Sequence, residues 1–140
     1  MSLRLDGRIE RRRLVVELFV RAPDGADIDG PYRGMIDTGA SVTVLANEVA
    51  RNLALPDVGK GTVRGITGDE HARFVRLSIG VPGSTGAPYF LEDDVVAAVR
   101  RRVSDPNAVA PWDVLIGMDV IERGVLTVDG PAATFAFEIA

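Results

Sequence analysis

Cysteine is missing altogether from these 140 residues, which removes disulfide frameworks, zinc–thiolate sites and cysteine nucleophiles at once. Histidine occurs once, as His71. A Ser-His-Asp triad would have to use it, yet no Gly-x-Ser-x-Gly elbow is present, and an exposed side chain is the simpler expectation. Long apolar runs are also lacking. The stretch from Leu14 to Val20 follows a basic segment, but it contains Glu17, has no small-residue cleavage site and is far shorter than a membrane span. A formal net charge of −4 speaks against a general nucleic-acid binder, and the clusters Arg11-Arg12-Arg13 and Arg100-Arg101-Arg102 read as solvated faces. With no internal repeat or low-complexity segment, residues 1–140 read as one domain, large enough for a true core. A soluble, cytoplasmic protein is the expectation, with no membrane and no nucleic-acid partner.

Glycine and proline, fifteen and eight in number, favour many short strands joined by turns. Leu14 to Val20 is short, β-branched and aromatic, and predicts the first core strand, with Arg8 to Arg13 as its polar lead. Ala22 to Pro31 is rich in turn residues. It approaches a calcium loop, but with Asp27, Asp29 and Gly30 in the third, fifth and sixth positions, the first and twelfth would be Gly25 and Ile36, which offer no carboxylate. A hairpin connection is expected instead, with Tyr32 to Ile36 as the next strand. Asn47 predicts an N-cap for a helix over 48–53, ended by Pro56. Gly59-Lys60-Gly61-Thr62 fails as a phosphate loop, because Ala54 stands where a glycine is needed and Gly61 follows the lysine.

Further on, Thr62 to Arg64 and Ala72 to Leu77 predict two strands joined by a glycine-bracketed tip. Val75, Leu77, Ile79 and Val81 alternate as one buried face should. Tyr89 to Leu91 predicts a strand, while Asp93 to Arg100 fits either a capped helix or another strand. Glu92-Asp93-Asp94 is an acidic turn with no other placed ligands, so no metal site is expected. Asp119 suits the start of a short helix through Glu122 that Gly124 would stop. Val125 to Val128 and Thr134 to Ile139 predict a closing hairpin around Asp129-Gly130.

Two motifs carry chemistry. Met35-Ile36-Asp37-Thr38-Gly39-Ala40-Ser41 puts a carboxylate on a tight turn between apolar strands, at a glycine that allows close backbone approach. Trp112-Asp113-Val114-Leu115-Ile116-Gly117-Met118-Asp119 is an apolar run closing on a glycine. Together, in this order, they resemble the retropepsin-like aspartic peptidases, the single-domain relatives of pepsin. The resemblance spans roughly Leu14 to Ile139, and its specificity lies in these two motifs and the glycine-flanked turn between them.

The resemblance implies a mostly β fold, a small closed barrel-like sheet with one or two short helices, and a strand rather than a helix before the second glycine motif. It also implies an aspartic endopeptidase without cofactor, whose catalytic residue is Asp37. Thr38, Gly39 and Ala40 would support the active-site loop, Leu115, Ile116 and Gly117 would form the second glycine motif, and Gly65, Ile66, Thr67 and Gly68 would form a flap over an extended peptide. Two carboxylates about 3 Å apart can act as base and acid by sharing a proton. This chain has one Asp-Thr-Gly, so the second carboxylate would come from a second copy in a two-fold homodimer. Met118 stands where retroviral members carry arginine, and Ser41 and Val42 replace acidic residues, so retroviral dimer bracing does not transfer directly. A silent dimeric peptide-binding or scaffolding module of the same fold is the alternative.

Overall fold

A computed structural model describes residues 3–25, 27–65, 68–100 and 112–139. The chain is mostly strand. Its elements are β1 (Leu3–Glu10), β2 (Arg13–Arg21), β3 (Ile28–Ile36), β4 (Val44–Leu45), α1 (Asn47–Asn52), β5 (Asp57–Gly65), β6 (Gly68–Val81), β7 (Tyr89–Phe90), β8 (Val95–Val99), β9 (Val114–Ile116), α2 (Met118–Ile121), β10 (Gly124–Asp129) and β11 (Thr134–Ile139).

Six strands close a ring through the pairings β2–β3, β3–β9, β9–β4, β4–β8, β8–β6 and β6–β2. This is the closed sheet expected from the resemblance. Long β6 makes closure possible, since one strand pairs with β2 through Ser78 to Gly80 and with β8 through Phe74 to Leu77. Val75, Leu77, Ile79 and Val81 are all buried, as their alternation predicted. They meet Leu18, Val20, Leu45, Val49, Val95 and Val114 in one core, each such side chain contributing about 1.5–3 kcal/mol by leaving water. The ambiguous stretch after Asp93 is the strand β8. Asp94 is tied to the sheet by the buried Ser78 hydroxyl, which donates to its carboxylate at 2.9 Å.

Four sequence expectations change. The polar lead Arg8 to Arg13 holds the end of β1, a turn and the first residue of β2, and β1 pairs with β2 and β11. Its charged residues Arg4, Asp6 and Arg8 are exposed while Leu5 is buried, so the strand alternates beneath its charge. The turn from β1 to β2 is Arg11-Arg12, both with positive φ, 48° and 66°. Second, β3 begins at Ile28, inside the stretch read as connection. Third, α1 starts at Asn47 with Ala46 as its cap and no side-chain cap bond; Asn47 instead accepts from the Arg73 guanidinium at 3.4 Å. Fourth, Gly124 does not stop α2 but opens β10, opposite Ile139. There a Cβ would run into the Glu138 carbonyl.

No described helix is long and apolar enough to cross a membrane. Among the described residues no cluster of carboxylates and histidine could hold a metal.

Candidate active site

Asp37 follows the last residue of β3, and Gly117 follows the last residue of β9. These two strands run parallel, Gly34 to Ile36 beside Val114 to Ile116, so their carboxyl ends lie side by side. The chain then returns as β4 on the other side of β9, antiparallel to it. Residues 37–43 must therefore pass around the end of β9, and the two sequence motifs are joined there by topology.

Backbone bonds fix the junction. The Asp37 N–H donates to the Ile116 carbonyl at 2.9 Å, and the Met118 N–H donates to the Ala40 carbonyl at 2.7 Å. The turn itself closes through the Ala40 N–H and the Asp37 carbonyl, 3.2 Å apart. One oxygen of the Asp37 carboxylate, Oδ1, accepts the Gly39 N–H at 2.8 Å, which orients the side chain on its own turn. A Cβ at Gly39 would stand 3.2 Å from that oxygen. At Gly117 the need for glycine is stronger, since a Cβ would lie 2.5 Å from the Val42 carbonyl oxygen and 3.0 Å from that of Ala40. Asp37 is half-buried, and Thr38 and Gly39 are exposed. The arrangement presents a carboxylate at the surface on a backbone that cannot shift easily.

One functional pair was not visible in the sequence. Thr43 is fully buried, and its hydroxyl donates to Asp119 Oδ1 at 2.8 Å while its N–H donates to Oδ2 at 3.1 Å. The same hydroxyl accepts the Gly117 N–H at 3.3 Å. Asp119 Oδ1 also takes the Val120 N–H at 3.0 Å in the first turn of α2. A single carboxylate thus clamps the chain leaving the Asp37 loop to the chain leaving β9. Asp119 was expected only as a favourable charge at a helix start, and Thr43 stands among apolar neighbours in Val42-Thr43-Val44-Leu45. Its signal was a hydroxyl at a strand position that should face inward, which demands a partner. Asp113 performs a similar service earlier, accepting the Arg33 N–H at 2.9 Å and, through its carbonyl, the Ala46 N–H at 2.8 Å.

Asp37, Thr38, Gly39 and Ala40 are therefore brought together with Leu115, Ile116 and Gly117. Leu115 and Ile116 are buried and act through their backbone. The flap candidates belong to another part of the sheet. Gly65 and Gly68 pair as the last register step of the β5–β6 hairpin. Ile66 and Thr67 lie outside the described residues.

A protein-family model described as aspartyl protease matches residues 25–120, more than half of the chain and both motifs. Among solved structures, the crystal structure of a retropepsin-like aspartic protease from Rickettsia conorii is similar over 99% of this chain and 93% of that chain, with 18% identity and a TM-score of 0.59. The EIAV protease complexed with the inhibitor HBY-793 matches over 80% of this chain and 88% of that chain, with 16% identity and a TM-score of 0.48. No curated protein gives a match. The family match over the motif-bearing residues, the ring of six strands and the junction of the two motifs lead to one assignment: the chain belongs to the aspartyl protease family, and its fold is similar to that of a retropepsin-like protease.

Proposed function

We propose that the protein is an endopeptidase whose water nucleophile is activated by Asp37 together with Asp37 of a second copy across a two-fold axis. The observation that carries this reading is the carboxylate of Asp37, half-buried at the end of a parallel strand pair and held by the Gly39 N–H at 2.8 Å. A lone carboxylate offers a base or an acid but not both, and peptide hydrolysis without metal or covalent nucleophile needs both. The chain has a single Asp-Thr-Gly, and symmetry provides the second.

In this mechanism one Asp37 takes a proton from water while its protonated mate gives one to the scissile carbonyl oxygen. A tetrahedral diol forms, and its collapse with protonation of the leaving amine releases the two peptides. No acyl-enzyme intervenes. In this reading Thr38, exposed on the loop, bonds its symmetry mate, and the β5–β6 hairpin closes over an extended substrate adding as a strand.

The test uses Asp37→Asn, which keeps the side chain's shape but can neither take nor give the proton. Cleavage of a diverse peptide pool should fall at least about a thousandfold with folding and association intact. Wild-type specific activity should also fall on dilution below the dimer dissociation constant. Undiminished cleavage by the variant would remove Asp37 from the mechanism, and full activity in a species that sediments as a monomer would remove the second copy. Peptide binding with no cleavage by the wild type would identify the silent binding module instead.

A further inference from the structure

A cleft of about 620 Å³ opens between the β5–β6 hairpin and the end of β8, apart from the Asp37 loop. Its charged lining is all of one sign: Lys60 and Arg73 from the hairpin, and Arg100 after β8, with the titratable His71 beside them. Asn47 and Thr62 add neutral polar groups, and among the described residues no carboxylate lines it. In a chain of net charge −4 this is a local reversal.

The strand register makes the reversal costly. Lys60 stands directly opposite Arg73, and Thr62 directly opposite His71, so both pairs project from the same face of the hairpin. Like charges directly opposed across two strands destabilise the pairing. None of Lys60, Arg73 and Arg100 takes part in an ion pair among the described residues. Among the described residues the Arg73 side chain bonds Asn47 at 3.4 Å, and that of Arg100 lies over the face of Trp112, 5.2 Å from its centroid. Three cations line this cleft with no ion-pair partner among the described residues.

We propose that this cleft docks an acidic segment of an extended peptide, with carboxylates set between Lys60, Arg73 and Arg100. β5 is the last strand of the sheet, and its outer edge pairs with no other described strand, so its free N–H and C=O groups can hold a peptide backbone while the cations take its side chains. The cations stand on different elements, the hairpin and the end of β8, rather than on one loop, which suits several carboxylates along a chain better than one small anion. Resting on the peptidase reading above, the segment is a part of the substrate outside the residues held at Asp37, and the site selects for acidic substrates.

Binding is measured on the full-length Asp37→Asn protein by fluorescence anisotropy with labelled hexaglutamate, with hexaglutamine as the neutral control and inorganic phosphate as competitor. Hexaglutamate should bind saturably, more weakly as salt rises, and hexaglutamine should not. Lys60→Gln and Arg100→Gln should each weaken hexaglutamate binding roughly tenfold, while Lys60→Arg retains it. Absence of hexaglutamate binding, or undiminished binding to both glutamine variants, overturns the proposal. Displacement by phosphate at concentrations matching the peptide's also overturns it, in favour of a small-anion site. Wild-type cleavage of neutral peptides separates the two readings. Cleavage without hexaglutamate binding removes this proposal alone, whereas hexaglutamate binding without cleavage of any peptide leaves the docking site and removes its link to a substrate.

Discussion

The Asp37 loop and the β5–β6 hairpin are built on opposite principles. Around Asp37 the groups that join the two motifs have named partners. Thr43, Asp119, Gly117 and Met118 bind one another or the loop within about ten residues of the two motifs, and Thr43 is wholly buried. The hairpin has one free edge and a face where Lys60 and Arg73 oppose each other. Fixed dipoles and packed backbone suit a group that must hold its geometry to a fraction of an ångström during reaction. Unpaired edges and uncompensated charge suit a part that gains its partners from a ligand. The contrast predicts that the same kind of small substitution will cost much in one region and little, or even help, in the other.

The sharpest break is Gly117→Ala. The added methyl meets the Val42 carbonyl at 2.5 Å, and the contact is backbone, which no rotamer change relieves. The Asp37 loop and the start of α2 must part, so a destabilisation of about 3 kcal/mol is expected, with loss of peptide cleavage even where the protein remains folded. Denaturant unfolding and activity at a temperature of full folding measure the two separately. A neutral variant would show that the junction is not tightly packed.

Thr43→Val keeps shape and removes one hydroxyl. It leaves the Gly117 N–H and one Asp119 oxygen short of a partner in a buried setting, so a loss of about 2 kcal/mol is expected, read as a lower urea midpoint at unchanged slope. Asp119→Asn restores less than it removes, because Thr43 offers two donors, N–H and O–H, to the carboxylate. Adding Asp119→Asn to Thr43→Val should cost less than the sum of the two single changes. Strict additivity would mean that the two side chains do not act as one clamp.

The same substitutions show what the sequence could and could not disclose. Asp37-Thr38-Gly39 and the later glycine motif were legible because their glycines and apolar flanks are local, and the buried face of β6 was legible because alternation is local too. The Thr43–Asp119 bond joins residues 76 apart, and no local pattern points from one to the other. β1 was hidden for a different reason. Its alternation of Leu3, Leu5 and Ile9 with Arg4, Asp6, Arg8 and Glu10 was masked by charge density, and its turn uses Arg11-Arg12 in the left-handed region where asparagine or glycine would have announced a hairpin. Reading Asn47 as a cap failed because its side chain has a competing partner in Arg73, which comes from across the sheet.

A smaller effect marks the outer limit of the well-partnered region. Tyr32 lies on β3, four residues before the motif's Ile36, and its hydroxyl donates to the Asp29 carboxylate. Burial first, then that bond, raise the phenol above its ordinary value near 10, against a smaller opposing effect from Asn52. A folded value above the unfolded one means that the contribution to stability is intact below about pH 10 and is lost as pH rises through the folded value. Tyr32→Phe has no proton to lose. Its urea midpoint should therefore fall less between mildly and strongly alkaline solution than the wild type's, and an identical fall would show that Tyr32 does not govern that limb.

The smallest expected effect has the opposite sign. Lys60 faces Arg73 across β5 and β6 with Arg100 lining the same cleft, so removing its charge relieves repulsion where no described ion pair is lost. Lys60→Gln is expected to stabilise the protein by up to about 0.5 kcal/mol at low salt. Screening supplies the control, because a gain that comes from charge must shrink as salt rises, whereas one from strand propensity or packing persists. The variant predicted to bind hexaglutamate more weakly is thus predicted to be the more stable protein, as expected of a residue retained for a ligand rather than for the fold. Thermal melts of the two proteins at low and high salt decide it. A Lys60→Gln protein destabilised at every salt concentration would mean that Lys60 is satisfied within the fold, and the contrast between the two regions would lose its electrostatic half.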